Sequence, residues 1–261
     1  MTQRSVTSST AVLHDQVRPG WSGELIRWLL GSPEPGKCLS VLDLGAGTGI
    51  STRAIAHLGH NVTAVDTADH MLAVLITEND QLPYRVADRI SVAKGSAEQL
   101  PLPDASFDAI LCLQAWHWVN QERAVSECNR ILSADGTVGL AWHTWDRSIP
   151  WVQALAAIVE PDGRSPDQTS TVPRVFATRG SFERRDFPFN YELNADQIVR
   201  LASSWSFVSQ RPDRASVLAE IHGLGARAAS PDTGLLRFPH ITAAYRLQST
   251  EAATGPGPDR S

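Results

Sequence analysis

The segment Val41-Leu42-Asp43-Leu44-Gly45-Ala46-Gly47-Thr48-Gly49 constrains the fold more than any other. A continuous apolar run over 38–44 meets three glycines at alternate positions, and a helical pattern follows. Such a run reads as a strand buried on both faces, the mark of a parallel sheet. Glycine lets the backbone turn sharply and pass close to a ligand with no Cβ in the way. Open α/β sheets bind ligands beyond the carboxyl ends of their strands, which is where this turn falls. Taken alone, the fragment also suits a tight strand-to-helix turn that binds nothing.

The neighbouring sequence repeats the strand–helix rhythm. Helical patterns are expected over 25–30, 51–58, 68–78 and 121–132, the last ending before Ala134-Asp135-Gly136. Strands are expected over 38–44, 61–65, 89–93, 106–113 and 137–142. Alternation of this kind argues for a parallel sheet with helices on both faces. After Trp145 the rhythm changes: helix over 151–159, strand over 182–193, helices over 196–203 and 214–224, and a final strand over 236–247. The late helices read as an insertion covering one end of the sheet. The expected organisation is an N-terminal helical lid segment over 1–36, with residues 1–10 loose. The core covers 37–193 and 231–249, a helical cap covers 194–230, and a disordered tail covers 250–261. The 261 residues allow one large or two small domains.

Hydrophobic residues make up 42% of the chain and charged residues 20%, so a disordered chain is excluded. The net charge of −5 lacks the basic footprint of nucleic-acid binding. Cys38, Cys112 and Cys128 form an odd set with no paired or metal-ligand spacing, which reads as buried thiols in a reducing compartment. The polar residues 1–10 do not resemble a secretion signal, and no apolar run approaches the ~20 residues of a membrane span. A cytoplasmic protein with no membrane partner is expected, as a monomer or homodimer.

The second strand ends in Val65-Asp66. An acid about 20 residues beyond a glycine turn accepts hydrogen bonds from ribose hydroxyls in doubly wound folds. Asp66 could equally cap the following helix. The spacing here is Gly-x-Gly-x-Gly, not the Gly-x-Gly-x-x-Gly of dinucleotide sites, and no second mononucleotide half follows. A nicotinamide cofactor is the poorer reading. The tighter loop suits a nucleoside whose polar tail is an amino acid.

These residues resemble the class I S-adenosylmethionine-dependent methyltransferases. The resemblance rests on the glycine segment, Asp66, the run from Gly95 to Pro103 leading into Phe107-Asp108-Ala109-Ile110, and Arg130-Ile131-Leu132-Ser133-Ala134-Asp135-Gly136-Thr137. A bacterial small-molecule, type 11-like subgroup is similar in Arg18-Pro19-Gly20-Trp21, Gln114-Ala115-Trp116-His117-Trp118, Pro150-Trp151-Val152 and the run from Pro239 to Arg246. The resemblance implies a Rossmann-like seven-stranded, mostly parallel sheet whose last strand is antiparallel, with a small helical cap. It implies methyl transfer from S-adenosylmethionine to oxygen, nitrogen or carbon of a small molecule of the kind met in secondary metabolism. A cofactor-binding relative that catalyses a non-methylating step, or acts as a sensor, is the alternative.

The resemblance also implies roles. Gly45, Ala46, Gly47 and Gly49 would form the loop under the methionine portion. Asp43 would orient that loop or meet the ammonium through water. Asp66 would hold the ribose, with Thr67 and Met71 lining the adenine pocket. Ser96, Ala97 and Glu98 would edge the adenine ring, although many members carry aspartate where Ser96 stands. Gln114 would lie beside the methionine portion, and Arg18 would pair with its carboxylate.

For the chemistry, His117 is the leading general-base candidate and His143 the second, because an imidazole titrates near neutrality. His14 and Asp15 could face the acceptor, whereas His57 and His60 flank a helix end, solvated or facing its dipole. Trp116, Trp118, Trp142, Trp145 and Trp151 could form a hydrophobic acceptor pocket or plug the sheet edge. No metal site is expected.

Overall fold

A computed structural model describes residues 8–160, 176 and 179–249. The expected loose residues 1–7 and the tail over 250–261 lie outside the described residues. Residues 8–10, expected to be loose, open helix α1 (Ser8–Val17). Helix α2 (Gly23–Leu29) follows, with the Ser22 hydroxyl accepting from the Leu25 N–H at its start. Then come β1 (Ser40–Leu44), α3 (Ile50–His57), β2 (Asn61–Asp66), α4 (Asp69–Asn79), a single turn α5 (Tyr84–Ala87) and β3 (Ile90–Lys94). Next are β4 (Phe107–Leu113), a 3-10 turn (Trp116–Trp118), α6 (Gln121–Ile131), β5 (Leu132–Trp145) and α7 (Pro150–Val159). Strand β6 (Gly180–Leu193), helices α8 (Ala195–Ser203), α9 (Ser206–Ser209) and α10 (Arg214–Ala228), and strand β7 (Leu236–Ser249) complete the order.

Among the described residues the strands form one seven-stranded sheet in the order β3-β2-β1-β4-β5-β7-β6. The pairs from β3 to β5 are parallel, and β7 is antiparallel to both β5 and β6. This is the mostly parallel α/β sheet with an antiparallel last strand that the sequence led us to expect. Alternation along β4 explains its unbroken apolar run. Ile110 and Cys112 face a core made with α6, and Ala109, Leu111 and Leu113 face a core made with α2 and α3. The α6 side of that first core repeats at helical spacing through Ala124, Val125, Cys128 and Ile131.

The Ala134-Asp135-Gly136 turn does not end one element and open another. Helix α6 passes directly into β5, and the turn is absorbed as a register shift between Phe107↔Leu132 and Ala109↔Thr137. Cys38 is exposed rather than buried, because β1 begins only at Ser40 and leaves Cys38 on the rim; Cys112 and Cys128 are buried. His60 is not solvated. It is 4% exposed, and its Nδ1 accepts the Leu39 N–H at 3.2 Å, closing the start of β1 against β2. Burial, then the Arg89 and Arg27 charges, lowers its pKa, so it is no cationic partner for a helix.

Helices α8–α10 connect the end of β6 to the start of β7, at the edge where the parallel strands end. They enclose a third core with α7, in which Phe238 is wholly buried and Val17 of α1 takes part. Burying an aromatic or aliphatic side chain of this size stabilises by about 1.5–3 kcal/mol. Helix α1 is fastened from both sides. Asp15 pairs with Arg53 of α3 at 2.7 Å, and Tyr191 Oη donates to the Val17 carbonyl. The N-terminal segment therefore joins the glycine-loop side of the sheet to the cap.

Candidate active site

The glycine loop leaves β1 where the neighbouring strand β2 ends. The N–H groups of Gly45 and Ala46 both donate to the Val65 carbonyl, at 2.8 and 3.0 Å. Gly45 has φ +74°, and a Cβ there would lie 2.5 Å from Ala115 Cβ, so this glycine lets two loops meet. Gly47 differs. Its φ is +57°, and a Cβ there would meet no atom within 4 Å. The backbone at Gly47 faces open space. Gly49 forms the N-cap of α3, and Ala46 is buried behind the loop.

Two carboxylates hold this turn. Asp66 Oδ2 accepts the Gly47 N–H at 2.9 Å, and its Oδ1 accepts the Ala68 N–H at 2.8 Å. One side chain thus binds the glycine loop and the turn that leads into α4, although the N-cap position of α4 is Ala68 and has no side-chain cap. Each oxygen retains a lone pair for a further donor. Asp43 is 1% exposed, and its Oδ2 accepts from Ser51 Oγ at 2.7 Å and Thr52 Oγ1 at 2.6 Å. Burial pushes its pKa up to about 6, against the pull of the two hydroxyls, with a further push from Asp66. Its Oδ1 has no hydrogen-bond partner among the described residues.

Gln114 follows β4 with φ +61°, a conformation that costs a non-glycine residue energy. Its N–H donates to the Ala141 carbonyl at 2.9 Å, and Nε2 donates weakly to the His143 carbonyl at 3.4 Å. Among the described residues its Oε1 is buried without a hydrogen-bond partner, as is Thr48 Oγ1 in the glycine loop. An unpaired buried polar atom costs about 1–3 kcal/mol, so such atoms gathered at a strand edge indicate a polar ligand. Asp43 Oδ1 and Gln114 Oε1 accept, Thr48 can do either, and open space lies over Gly47. This set fits a nucleoside bearing a cationic amino-acid tail.

Thr67 is exposed, and Met71 is half-buried in the first turn of α4. Ser96, Ala97 and Glu98 form the turn after β3, in which Ser96 and Gln99 bridge. Ala97 is buried, and Glu98 Oε1 accepts the Asn120 N–H at 2.7 Å, so this carboxylate anchors the loop after β4. Arg18 lies against the cap: Nε donates to Ser204 Oγ at 3.0 Å and an Nη to the Ser204 carbonyl at 3.2 Å. Asp15 belongs to the glycine-loop side, through Arg53. His57 is exposed at the end of α3.

The tryptophans expected to line one pocket are divided. Trp116 and Trp142 are wholly buried in the core beneath the sheet edge. Trp118 is 77% exposed. Trp145 and Trp151 pack on Phe238 in the cap core. Sequence reasoning did not single out Trp21, whose ring stacks on His143 with centroids 4.0 Å apart. It lies in the Arg18-Pro19-Gly20-Trp21 run already noted, so a signal was present without a role attached.

The two histidine candidates differ in the partners of their ring nitrogens. His117 Nδ1 accepts from Trp142 Nε1 at 3.3 Å. An indole nitrogen only donates, so this lone pair is used and the proton of neutral His117 sits on Nε2. His143 pairs Nδ1 with Thr242 Oγ1 at 2.8 Å, and its Nε2 is buried without a hydrogen-bond partner among the described residues. Burial above all, then His240 and Arg18, lowers its pKa to about 3, whereas the Gly20 backbone raises it. His143 is therefore neutral at ordinary pH. Phe189 meets its ring edge-on at 4.9 Å, and His240 lies 6.4 Å away.

A strand–glycine loop–helix unit with an acid ending the second strand, on a sheet with an antiparallel last strand, defines a nucleoside-binding α/β enzyme. Known proteins narrow the class. A family model described as a methyltransferase domain matches residues 42–140. An uncharacterized methyltransferase of Mycobacterium tuberculosis is 35% identical over 89% of this chain and 91% of its own length. A methyltransferase-like protein of Schizosaccharomyces pombe is 32% identical over 77% of each. A solved structure, titled a putative type II methyltransferase from Anaeromyxobacter dehalogenans, shares the fold with a TM-score of 0.68 and 22% identity. It covers 88% of this chain and 97% of that one. The chain belongs to the class I S-adenosylmethionine-dependent methyltransferases, in the type 11-like group. It is an enzyme of that class, with S-adenosylmethionine as its cofactor.

Proposed function

We propose that the acceptor is a small organic molecule, held between the ends of β4 and β5 and the N-terminal segment, and that His143 takes its proton. The observation that carries this reading is His143, a buried neutral imidazole packed against Trp21 and Phe189, whose Nε2 has no hydrogen-bond partner among the described residues. His143 and Gln114 are linked through the Gln114 amide, so the acceptor side and the cofactor side share one loop edge.

When bound, S-adenosylmethionine supplies an electrophilic methyl group on a sulfonium. The chain supplies position and electrostatics. Gly45, Ala46, Gly47 and Gly49 present backbone to the ligand without bulk. Asp43 offers Oδ1 to the ammonium, and Gln114 offers Oε1 near the same group. Asp66 accepts from the ribose hydroxyls with its remaining lone pairs. Thr67, Met71, Ser96 and Ala97 border the adenine, with Glu98 holding the turn in shape. Thr242 fixes the His143 ring, so that Nε2 meets an O–H, N–H or acidic C–H. A nearby sulfonium is compatible with the aromatic faces of this space. His117 orients the loop after β4 through Trp142.

The net charge of −5 supports a small-molecule acceptor over a nucleic acid. The described residues contain no helix long and apolar enough to cross a membrane, and unpaired cysteines, one of them exposed, support a reducing cell interior.

The test is incubation of the purified protein with methyl-labelled S-adenosylmethionine and fractions of small-molecule extract. S-adenosylhomocysteine release matched by one added methyl group on a small product is expected. Cofactor binding without that release would favour a sensor, and a product lacking the added methyl a non-methylating step. His143→Gln is expected to lower kcat by about 100-fold or more, with S-adenosylhomocysteine affinity retained. Unchanged kcat would remove His143 as the base.

A further inference from the structure

Arg18 is a partly buried cation with neutral partners. Its bonds go to the hydroxyl and the carbonyl of Ser204, and no ion pair engages it among the described residues. Carboxylates in neighbouring segments are committed elsewhere: Asp15 to Arg53, Glu192 to Arg237, and Asp146 to Ser148. A guanidinium removed from water without a counter-charge is costly, and burial alone drags its pKa down to about 10. A ligand carboxylate would supply the missing counter-charge through charge-assisted hydrogen bonds.

The surroundings identify the ligand's remaining features. The segment Arg18-Pro19-Gly20-Trp21 crosses the carboxyl-end edge of β5, where Trp21 stacks on His143. His240, 4% exposed, stacks on Phe189 at 5.0 Å, and its Nδ1 meets the Phe238 carbonyl at 2.9 Å. Geometry brings Arg18 to this side: three residues on, Trp21 stacks on His143, and Ser204, which holds the guanidinium, precedes Trp205, which packs on Trp145 of β5; the charge adds to a lowered pKa at His14, His143 and His240. Burial is the largest cause at each, so these imidazoles are neutral and do not compete for an anion. This edge thus gathers aromatic rings, one fixed positive charge and neutral hydrogen-bonding nitrogens.

We infer that the methyl acceptor is a planar organic anion, bearing a carboxylate or an ionised phenol that pairs with Arg18 beside His143. This rests on the methyltransferase reading and names the substrate class of that site. A planar guanidinium matches a carboxylate with two parallel hydrogen bonds, and the aromatic side chains beside it would pack on a flat apolar body. The carboxylate of the cofactor's methionine is the other anion that Arg18 could take. Its link to the cap and to the His143 side, while Asp15 and Arg53 serve the glycine loop, favours the acceptor.

The probes are benzoate, 4-hydroxybenzoate and trans-cinnamate, each compared with its amide, titrated by calorimetry into the full chain saturated with S-adenosylhomocysteine. At least one acid is expected to bind about tenfold or more tightly than its amide. Arg18→Gln is expected to erase that preference, and Arg18→Lys to retain part of it. S-adenosylhomocysteine should bind all three proteins within about twofold. Ser204→Ala, which loosens the cap contact and keeps the charge, should retain the preference for acids even if Arg18→Gln folds poorly. Equal binding of acids and amides, or no binding of any acid, overturns the proposal. A tenfold loss of S-adenosylhomocysteine affinity in Arg18→Gln also overturns it, by assigning the guanidinium to the cofactor, and leaves the methyltransferase reading intact. Wild-type protein that binds no S-adenosylhomocysteine overturns both.

Discussion

The indole N–H of Trp142, at the buried end of β5, donates to Nδ1 of His117, in the turn after β4, across 3.3 Å. Trp142 is wholly buried, so this bond joins a core side chain to a loop at the edge of the site. Burial also lowers the His117 pKa, which keeps the acceptor lone pair available to the indole. Replacing His117 with Ala leaves a buried donor unpaired and should cost about 1–3 kcal/mol. The expected result is a lower denaturant midpoint with an unchanged slope. Near-wild-type stability would show that the bond contributes nothing.

Gly45 and Gly47 share a backbone conformation but face different surroundings. Gly45→Ala forces a contact 2.5 Å from Ala115 Cβ, so it should destabilise the fold. Gly47→Val meets no protein atom near its Cβ and pays mainly for its positive φ. It should fold, with about 1–2 kcal/mol lost, and lose S-adenosylhomocysteine binding because the side chain enters the open space. Calorimetric titration of both variants, beside their melting curves, separates the effects. Intact affinity in Gly47→Val would detach the loop from the cofactor.

Asp66 serves two N–H groups from two segments, which makes its replacements informative. Asp66→Asn keeps one acceptor oxygen and should retain most stability, whereas Asp66→Ala uncaps both the loop and the approach to α4. S-adenosylhomocysteine affinity should fall by about tenfold or more in each, because a charged acceptor is lost from the site. If affinity is unchanged in Asp66→Asn while stability falls, the carboxylate is structural alone.

The neutral buried histidines make stability sensitive to acid. His14 and His143 have pKa values lowered to about 3, and His240 to about 4, against 6.5 for an unfolded histidine. Between these values the unfolded chain binds more protons than the folded one, so stability falls as pH drops from about 7 toward 4. Each such group contributes up to about 1.4 kcal/mol per pH unit in that window. Asp43, raised to about 6 from 3.8, acts with the opposite sign between those values but is a single group. Melting temperatures between pH 7 and pH 5 should decline, and His240→Phe should flatten the slope. A pH-independent midpoint would contradict the neutral burial of these side chains.

Much of the fold was legible because parallel strands bury both faces. The runs at β1, β2 and β4 carried that signature, and their ends fell within one or two residues of expectation. The rim was less legible: Cys38 looked like strand interior, yet hydrogen-bonded pairing starts at Ser40 and leaves it exposed. Helix α1 carries a polar, Ser/Thr-rich start with no clear apolar stripe, since its order comes from contacts with α4, Arg53 and the cap. The His60 and Cys38 differences share one origin, because burial at a strand entrance depends on what the neighbouring strand brings there.

The amino-acid sequence by itself determined the alternating architecture, the glycine turn and the acid at the end of the second strand. These are local patterns, in which each residue's neighbours along the chain state its role. Tertiary structure alone decided which tryptophans are core and which face solvent, and that Trp21 rather than Trp118 packs on the candidate base. It also decided which histidine keeps a ring nitrogen unpaired, and that Arg18 meets no counter-charge among the described residues. Those outcomes depend on partners 25 to 186 positions away along the chain. The energies of burial and hydrogen bonding that select them exist only once the sheet edge, the N-terminal segment and the cap have come together.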